Sequence, residues 1–556
     1  MSDQIRQLLP SQASRPKIDR WSIGAIVIAT LVVLPIAAVL WFALTPTDNI
    51  WPHLMATTFP RYLRNTVILM LSVGMLTAIV GTTTAWLVVM YRFPGRKWVQ
   101  WALLMPLAVP AYVGAYALVD FLEYAGPVQT MLRGLMGWET SADYIFPAIR
   151  TRSSAVVVLS ASLYPYVYLL ARAAFREQSG AGFEVARALG VGPWGRFFRV
   201  GLPLARPAIA AGVAVVMMET VNDFGTVDYF AVQTLTTGIF TVWLQGGNLG
   251  GAAQLATCVL GMIVFLVVLE KFSRRRSKFF ASARGQRPVS LTQLKAGQGA
   301  IAFVICLIPV LVGFFLPVGV LVSHAMDADQ WVAPGLRKAL FHTITVAGLA
   351  AFLTVVGGLF MVYGVRLSKR RLPRLLMPVT AIGYAAPGAV LGLGILVPLA
   401  ALDNRFADGV LALTGYDPGL LVTGTAGVLV IAYVVRFFAI AQGTADAAFG
   451  RVSPSLPMAA RSLGQGAGGV LKRIYLPLMR ASVGSAMLLV FVDAVKELPA
   501  TLLLRPFSYD TLATRVHAKA SLENISEAAP AALMITCVGL LAVIFLAKAH
   551  KEGLQR

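Results

Sequence analysis

FEVARALGVGPWGRFFRVGLPLARP, from Phe183 to Pro207, and PMAARSLGQGAGGVLKRIYLPLMR, from Pro457 to Arg480, are two copies of one element in a single chain. Gly190 aligns with Gly464 and Pro203 with Pro477, both 274 residues apart, and 13 residues separate Gly from Pro in each copy. Ala186 with Ala460, and Arg187 with Arg461, hold the same register. Both copies are polar loops between apolar stretches, so shared hydrophobicity does not account for the match. Duplication of a fold explains it without more; so do two equivalent loops that meet two equivalent partners.

The stretches around these loops set the class. Of the 556 residues, 57% are hydrophobic and only 13% charged, with a mean hydropathy of +0.73. About 20 apolar residues suffice to cross a hydrocarbon core as a helix. Twelve such runs are found, near residues 21–44, 66–90, 99–121, 155–175, 205–221, 252–269, 301–322, 343–365, 375–399, 421–440, 481–495 and 529–548. Internal Pro and Gly do not exclude helix there, because neighbouring helices re-satisfy the freed backbone groups. The chain therefore reads as an all-α integral membrane protein.

A formal net charge of +22 would suit a nucleic-acid partner, but its placement argues against one. The basic residues cluster in alternate loops: Arg15, Lys17 and Arg20; Arg92, Arg96 and Lys97; Arg187, Arg196 and Arg199. The pattern goes on with Lys271, Arg274, Arg275, Arg276 and Lys278, then with Lys369, Arg370, Arg371 and Arg374. It closes with Lys472 and Arg473, and with Lys548 and Lys551. All fall on one side if both termini are cytoplasmic, as the positive-inside rule requires, and some suit contact with anionic membrane lipid. The first span is too long for a signal-peptide core and no small-residue cleavage site follows it, so it is expected to remain uncleaved. Cys258, Cys306 and Cys537 lie within apolar runs and offer no disulfide framework or metal spacing.

Residues 271–299 are basic, rich in small polar residues and without apolar period, as expected of a cytoplasmic linker between a first half, 1–270, and a second, 300–556. Asn65-Thr66 and His342-Thr343 open the second helix of each half, and Pro110 and Pro387 lie in the third, both at an offset of 277. A small insertion or deletion thus separates this part of the repeat from the loops. Six spans per half is an even number, so both halves enter from the same side as parallel repeats, with a pathway between them.

In each loop a short helix-compatible stretch runs into a Gly turn, and a second short basic segment follows. Pro203 or Pro477 then breaks it ahead of the fifth span. The result is an elbow along the membrane surface. E-x-A-x-x-x-G at residues 184–190, with Leu-Pro after it, resembles the coupling loop of ABC importer permeases. That resemblance implies an elbow (about 183–207 and 457–481) seated in a groove of a cytoplasmic ATPase, with Glu184, Ala186, Arg187, Gly190 and Pro203 in the first copy. Ala460, Arg461, Gly464 and Pro477 match in the second, where Met458 replaces the Glu and the carboxylate's role does not carry over. Gly190, Gly192 and Gly195 also spell G-x-G-x-x-G, but no strand precedes them, so a dinucleotide site is excluded. YRFPGRK, residues 91–97, resembles the basic loop of major-facilitator transporters but lacks its Asp.

No G-x-x-x-x-G-K-[ST] occurs, so a nucleotide site must come from another subunit, and no hydrolytic triad or H-E-x-x-H is present. No cofactor is expected. The fifth span of each half ends in two carboxylates, Glu219 with Asp223 and Asp493 with Glu497, again 274 apart. Intramembrane acids suggest function, and an oxygen-rich ring suits a hard cation. Helix capping, pairing with nearby bases such as Lys496, or contact with a binding protein would use the same residues.

Glu219–Trp243 and Lys496–Val516 are similar to fused ferric-iron ABC permeases, and the likeness runs over nearly the whole chain. It implies twelve transmembrane helices as two parallel six-helix repeats with the type I ABC importer permease fold. It further implies a cytoplasmic ATPase dimer, a periplasmic iron-binding protein and location in a bacterial inner membrane. Alternatives are an ABC permease for thiamine, a polyamine or another metal, and a secondary transporter of six plus six helices.

Overall fold

The computed structural model describes residues 20–275, 291–326, 328–367, 371–380, 383 and 386–552. Arg15, Lys17, Arg276, Lys278, Lys369, Arg370 and most of the expected linker lie outside these residues, as do the side chains of Lys548 and Lys551. Among the described residues, eleven helices are long and apolar enough to cross a membrane. A twelfth span is broken: the helical stretches Arg96–Ala108 and Ala111–Met136 meet at 95°. This is a helical bundle of eleven or twelve spans, as composition required.

The break has a local cause. Pro110 has no N–H to give, and its ring drives the preceding residue out of the helical region; Val109 is extended at φ −96°, ψ 120°. In the second half Pro387 stands directly before the helix Gly388–Thr414. Both prolines thus stand at helix starts rather than inside a helix. The second spans begin earlier than the apolar pattern showed, as Phe59–Met90 and Leu336–Leu367. Asn65-Thr66 and His342-Thr343 therefore sit within the helix, not at its opening.

There each pair has a job. Thr66 Oγ1 accepts from the backbone N–H of Leu235 at 3.0 Å and Thr343 Oγ1 from that of Leu512 at 2.8 Å. Asn65 Nδ2 donates to the Gln233 carbonyl at 2.9 Å, and His342 Nδ1 lies 2.9 Å from the Asp510 carbonyl. These bonds pin a short helix in each half, Leu235–Phe240 and Leu512–Ser521, each opened by a reciprocal Thr capping box.

The two halves interlock through their first spans. Trp21 of the first span packs tilted against Phe360 at 5.1 Å and meets Tyr363 edge-on at 5.7 Å, both in the second half. A Cβ on Gly394 would fall 2.1 Å from the Pro35 carbonyl oxygen, so only glycine admits that crossing. Reciprocally, the first span of the second half, Ala296–His324, runs along the first half. A Cβ on Gly313 would lie 2.4 Å from the Ala161 carbonyl oxygen, and Phe303 approaches Trp98 at 6.4 Å. Small residues at helix crossings are the usual route to close packing where lipid offers no hydrophobic drive. Large apolar side chains such as Val27, Leu34 and Phe352 face outward, as lipid-facing positions should.

Candidate functional site

Each elbow begins with a short helix, Gly180–Ala188 and Ser455–Ser462. Both end in the same turn. Gly190 has φ +77° and Gly464 φ +81°, a region that costs any residue with a Cβ. Gly190 N–H donates to the Arg187 carbonyl at 3.0 Å and Val191 N–H to that of Ala186 at 2.9 Å. In the second copy Gly464 donates to Arg461 at 3.0 Å and Gln465 to Ala460 at 3.0 Å. This paired reach-back is the Schellman closure, which satisfies the last carbonyls of a helix.

The second arm differs from expectation. Pro193–Arg196 continues through a π-helical turn, Phe197–Gly201, into Leu202–Asn222. Ala467–Val470, Leu471–Tyr475 and Leu476–Val495 repeat this 274 residues on. Pro203 and Pro477 do not break the arm. A proline clashes with the carbonyl four residues back and donates no bond; the wider π turn just before it takes up both defects. The arm and the fifth span are thus one continuous helix.

Beneath the elbows lie aromatic knots that sequence reasoning missed. Trp86 packs against Phe175, Phe183 and Phe197 at 5.2, 5.9 and 5.0 Å. Its counterpart Tyr363 packs against Phe449 and Tyr475, both at 5.7 Å, and its hydroxyl donates to the Ala467 carbonyl at 2.6 Å. Ala186 and Ala460 are buried, Ala460 against the second knot, whereas Glu184, Arg187, Met458 and Arg461 are exposed. The first elbow also exposes Leu189 (77%) and Trp194 (76%); the second exposes Leu463 (81%) but has Gly468 where Trp194 stands. Thr292, in the last part of the expected linker, shares a crevice with Glu184, Arg187 and Arg196, and Tyr91–Arg92 pairs in parallel with Thr292–Gln293.

The fifth span Leu202–Asn222 has 21 residues, or about 30 Å at 1.5 Å per residue. At its far end a cavity of about 170 Å³ opens between the halves. Glu219, Asp223, Asp493 and Glu497 all line it, together with Arg436 and Lys496. Asp228, expected close by from its place five residues after Asp223, does not line it.

The carboxylates are not a bare ring. The helix ends at Asn222, and Asp223 leaves it in extended conformation, so Glu219 and Asp223 do not share a helical face. Asp223 accepts from Thr226 N–H, Thr226 Oγ1 and Val227 N–H at 3.0–3.1 Å, holding the start of the short helix Gly225–Tyr229. Glu497 does the same for Pro499–Leu504, accepting from Ala500 N–H, Thr501 N–H and Thr501 Oγ1 at 2.7–3.0 Å. Arg436 Nη1 lies 3.5 Å from Glu497 Oε1, and Lys496 Nζ 3.1 Å from Asp493 Oδ1. Among the described residues, no three His, Cys, Asp or Glu side chains converge closely enough to chelate a metal.

The comparisons follow the same outline. Residues 72–278 match the family of binding-protein-dependent transport system inner membrane components. The chain is 26% identical to the Fe(3+)-transport system permease protein FbpB 2 of Haemophilus influenzae over 501 residues, 87% of this chain and 89% of that protein. It is 23% identical to the putative ferric transport system permease protein FbpB 1 of the same organism, over 75% of this chain and 65% of the relative. The molybdenum transport system permease protein ModB of Escherichia coli is 27% identical over 207 residues, which is 35% of this chain but 87% of ModB. A relative that is nearly spanned by about a third of this chain is what a two-half polypeptide should meet. With its duplicated elbows and interlocked spans, the chain carries the domain of the binding-protein-dependent transport permeases over residues 72–278 and is similar over most of its length to a double-length ferric permease.

Proposed function

We propose that this chain is the membrane subunit of an ATP-driven importer of ferric iron, working with a separate cytoplasmic ATPase and an extracytoplasmic iron-binding protein. The observation that carries the reading is the pair of matched elbows, each fused through a continuous helix to the cavity between the halves. A push on the exposed tip of an elbow is delivered along a rigid rod to Glu219 or Asp493 and the groups beside them. Alternating access between parallel halves needs such a linkage.

Iron is supported by the ferric relatives and by the cavity's composition. Its carboxylates outnumber its bases four to two, which favours a cation over an anion such as the sulfate named for another relative. Both termini are assigned to the cytoplasm, because the positive-inside rule places Arg92, Arg187 and Lys472 there. An inside-negative potential then favours cation entry by roughly 2.3 kcal/mol per charge per 100 mV, and ATP closure supplies the release from a tight carrier.

The test is reconstitution of the chain with its ATPase and binding protein in vesicles, with uptake measured across ferric iron and a panel of other metals. Charge reversal of Arg187 and Arg461 should reduce recovery of the ATPase with the chain. Metal accumulation by the chain alone, without ATPase or ATP, would sink the reading.

A further inference from the structure

The cavity is two-fold in shape but not in charge. Position by position, 274 residues apart, Ser162 corresponds to Arg436 and Asn222 to Lys496, while the carboxylates are kept in both halves. The two extra cations differ in freedom. Arg436 is locked: its partner Glu497 is buried, and a Cβ on Gly388 would lie 2.4 Å from Arg436 Nη1. Lys496 is on a flexible stem, and its pair with Asp493 is partly exposed, 23% and 31%. Three polar atoms of the cavity lining carry no hydrogen bond: Arg436 Nη1, which has the Glu497 carboxylate at 3.5 Å, and the oxygens Asn222 Oδ1 and Tyr112 Oη, in residues only 7% and 5% exposed. Buried polar groups are ordinarily satisfied; Arg436 has its carboxylate partner, so the two oxygens with no partner mark room for a polar guest.

We propose that this cavity holds one hydrated multivalent cation in transit, on Asn222 Oδ1, Tyr112 Oη and the Asp493 carboxylate. Lys496 Nζ is the site's resident counter-cation and keeps Asp493 until cargo displaces it. The proposal rests on the transport reading above and adds to it a residue that selects by valence. All three groups offer oxygen, the donor that hard cations take. With no chelating cluster among the described residues, an ion keeps most of its water and can leave again, as conduction requires. A monovalent ion that displaces the tethered ammonium exchanges one charge for one and gains little. A multivalent ion gains in proportion to its charge. Lys496 thereby closes the site to sodium and potassium in the idle transporter.

The experiment uses the whole complex in vesicles without ATP, with thallous ion flux as the probe of monovalent leak. Lys496→Gln should raise the leak by about tenfold, the effect of losing one modest ion pair, and Lys496→Arg should restore the seal. A second variant, Asn222→Lys, puts an ammonium on the opposite wall and should lower ATP-driven ferric uptake by a similar factor. Wild-type leak in Lys496→Gln, or wild-type uptake in Asn222→Lys, overturns the proposal while leaving the importer intact. Absence of ATP-driven iron uptake by the wild-type complex would instead overturn the transport reading itself.

Discussion

Replacing Gly190 or Gly464 isolates the conformational cost of the elbow from every packing effect. Both residues are left-handed, and a Cβ added at either position would meet nothing within 4 Å. Alanine there is penalised by backbone strain alone, about 1–2 kcal/mol. Because 1.4 kcal/mol is a factor of ten in an equilibrium constant, the closed turn should lose about 5- to 30-fold in population relative to open forms. The reporters are the amides of Gly190 and Val191, which close the turn onto Arg187 and Ala186. Their hydrogen-exchange protection should fall by that factor in Gly190→Ala, further in Gly190→Val, and least in Gly190→Asn, since Asn tolerates the left-handed region. The same order is expected at Gly464, read at Gly464 and Gln465. Equal protection in the Gly, Asn, Ala and Val forms would refute the claim that a positive φ, rather than the surrounding contacts, sets these turns.

Other consequences are open to direct measurement. Trp86→Ala removes the centre of three ring contacts and should cost about 3–5 kcal/mol in unfolding experiments; Tyr363→Phe, which loses one hydroxyl bond, should cost about 0.5–1.5 kcal/mol. Glu497→Gln leaves Arg436 unpaired in a buried setting and is expected to destabilise by about 3–5 kcal/mol. Asp223→Asn, with no base beside it, should cost about 1–3 kcal/mol, and equal thermal shifts in the two variants would contradict the asymmetry. Trp194→Ala should weaken ATPase capture by more than about 1 kcal/mol, as loss of an exposed aromatic anchor does. The matching position offers only Gly468, so Leu463 is the comparison there, with a smaller loss expected. Proteolytic cleavage within residues 271–299 of the assembled protein should leave the two halves co-migrating in mild detergent, because each first span is embedded in the opposite half.

Much of this architecture was legible beforehand, for physical reasons. The spans are long apolar runs, and the elbows hold register around two glycines whose positive φ penalises a side chain. What the sequence concealed is where one residue type does the work of another. Trp86 and Tyr363 fill equivalent places at an offset of 277, yet look unrelated in a one-letter comparison. The change from 274 to 277 beyond the cavity lies between Glu497 and Thr511, where the second half has three more residues than the stretch from Asp223 to Thr234. The carboxylates were visible but not their engagement, because Asp223 and Glu497 can cap the short helices that follow only where the fifth spans end, at Asn222 and Val495. Arg436 did carry a signal: it is a charge inside an otherwise apolar run at residues 421–440, and such a charge is rare without a partner.

Joining both halves in one polypeptide has a consequence for what evolution can do with the cavity. In a permease built from two identical chains, a lysine written once in the gene is present twice across the axis, and a tryptophan on one lever is matched on the other. A single gene spanning both copies removes that constraint. Lys496 can face Asn222, and Trp194 can answer to Gly468, each change made on one side only. The duplicated framework sets the geometry, and the freedom to mutate one copy at a time lets the passage acquire a polarity that no symmetric dimer can hold.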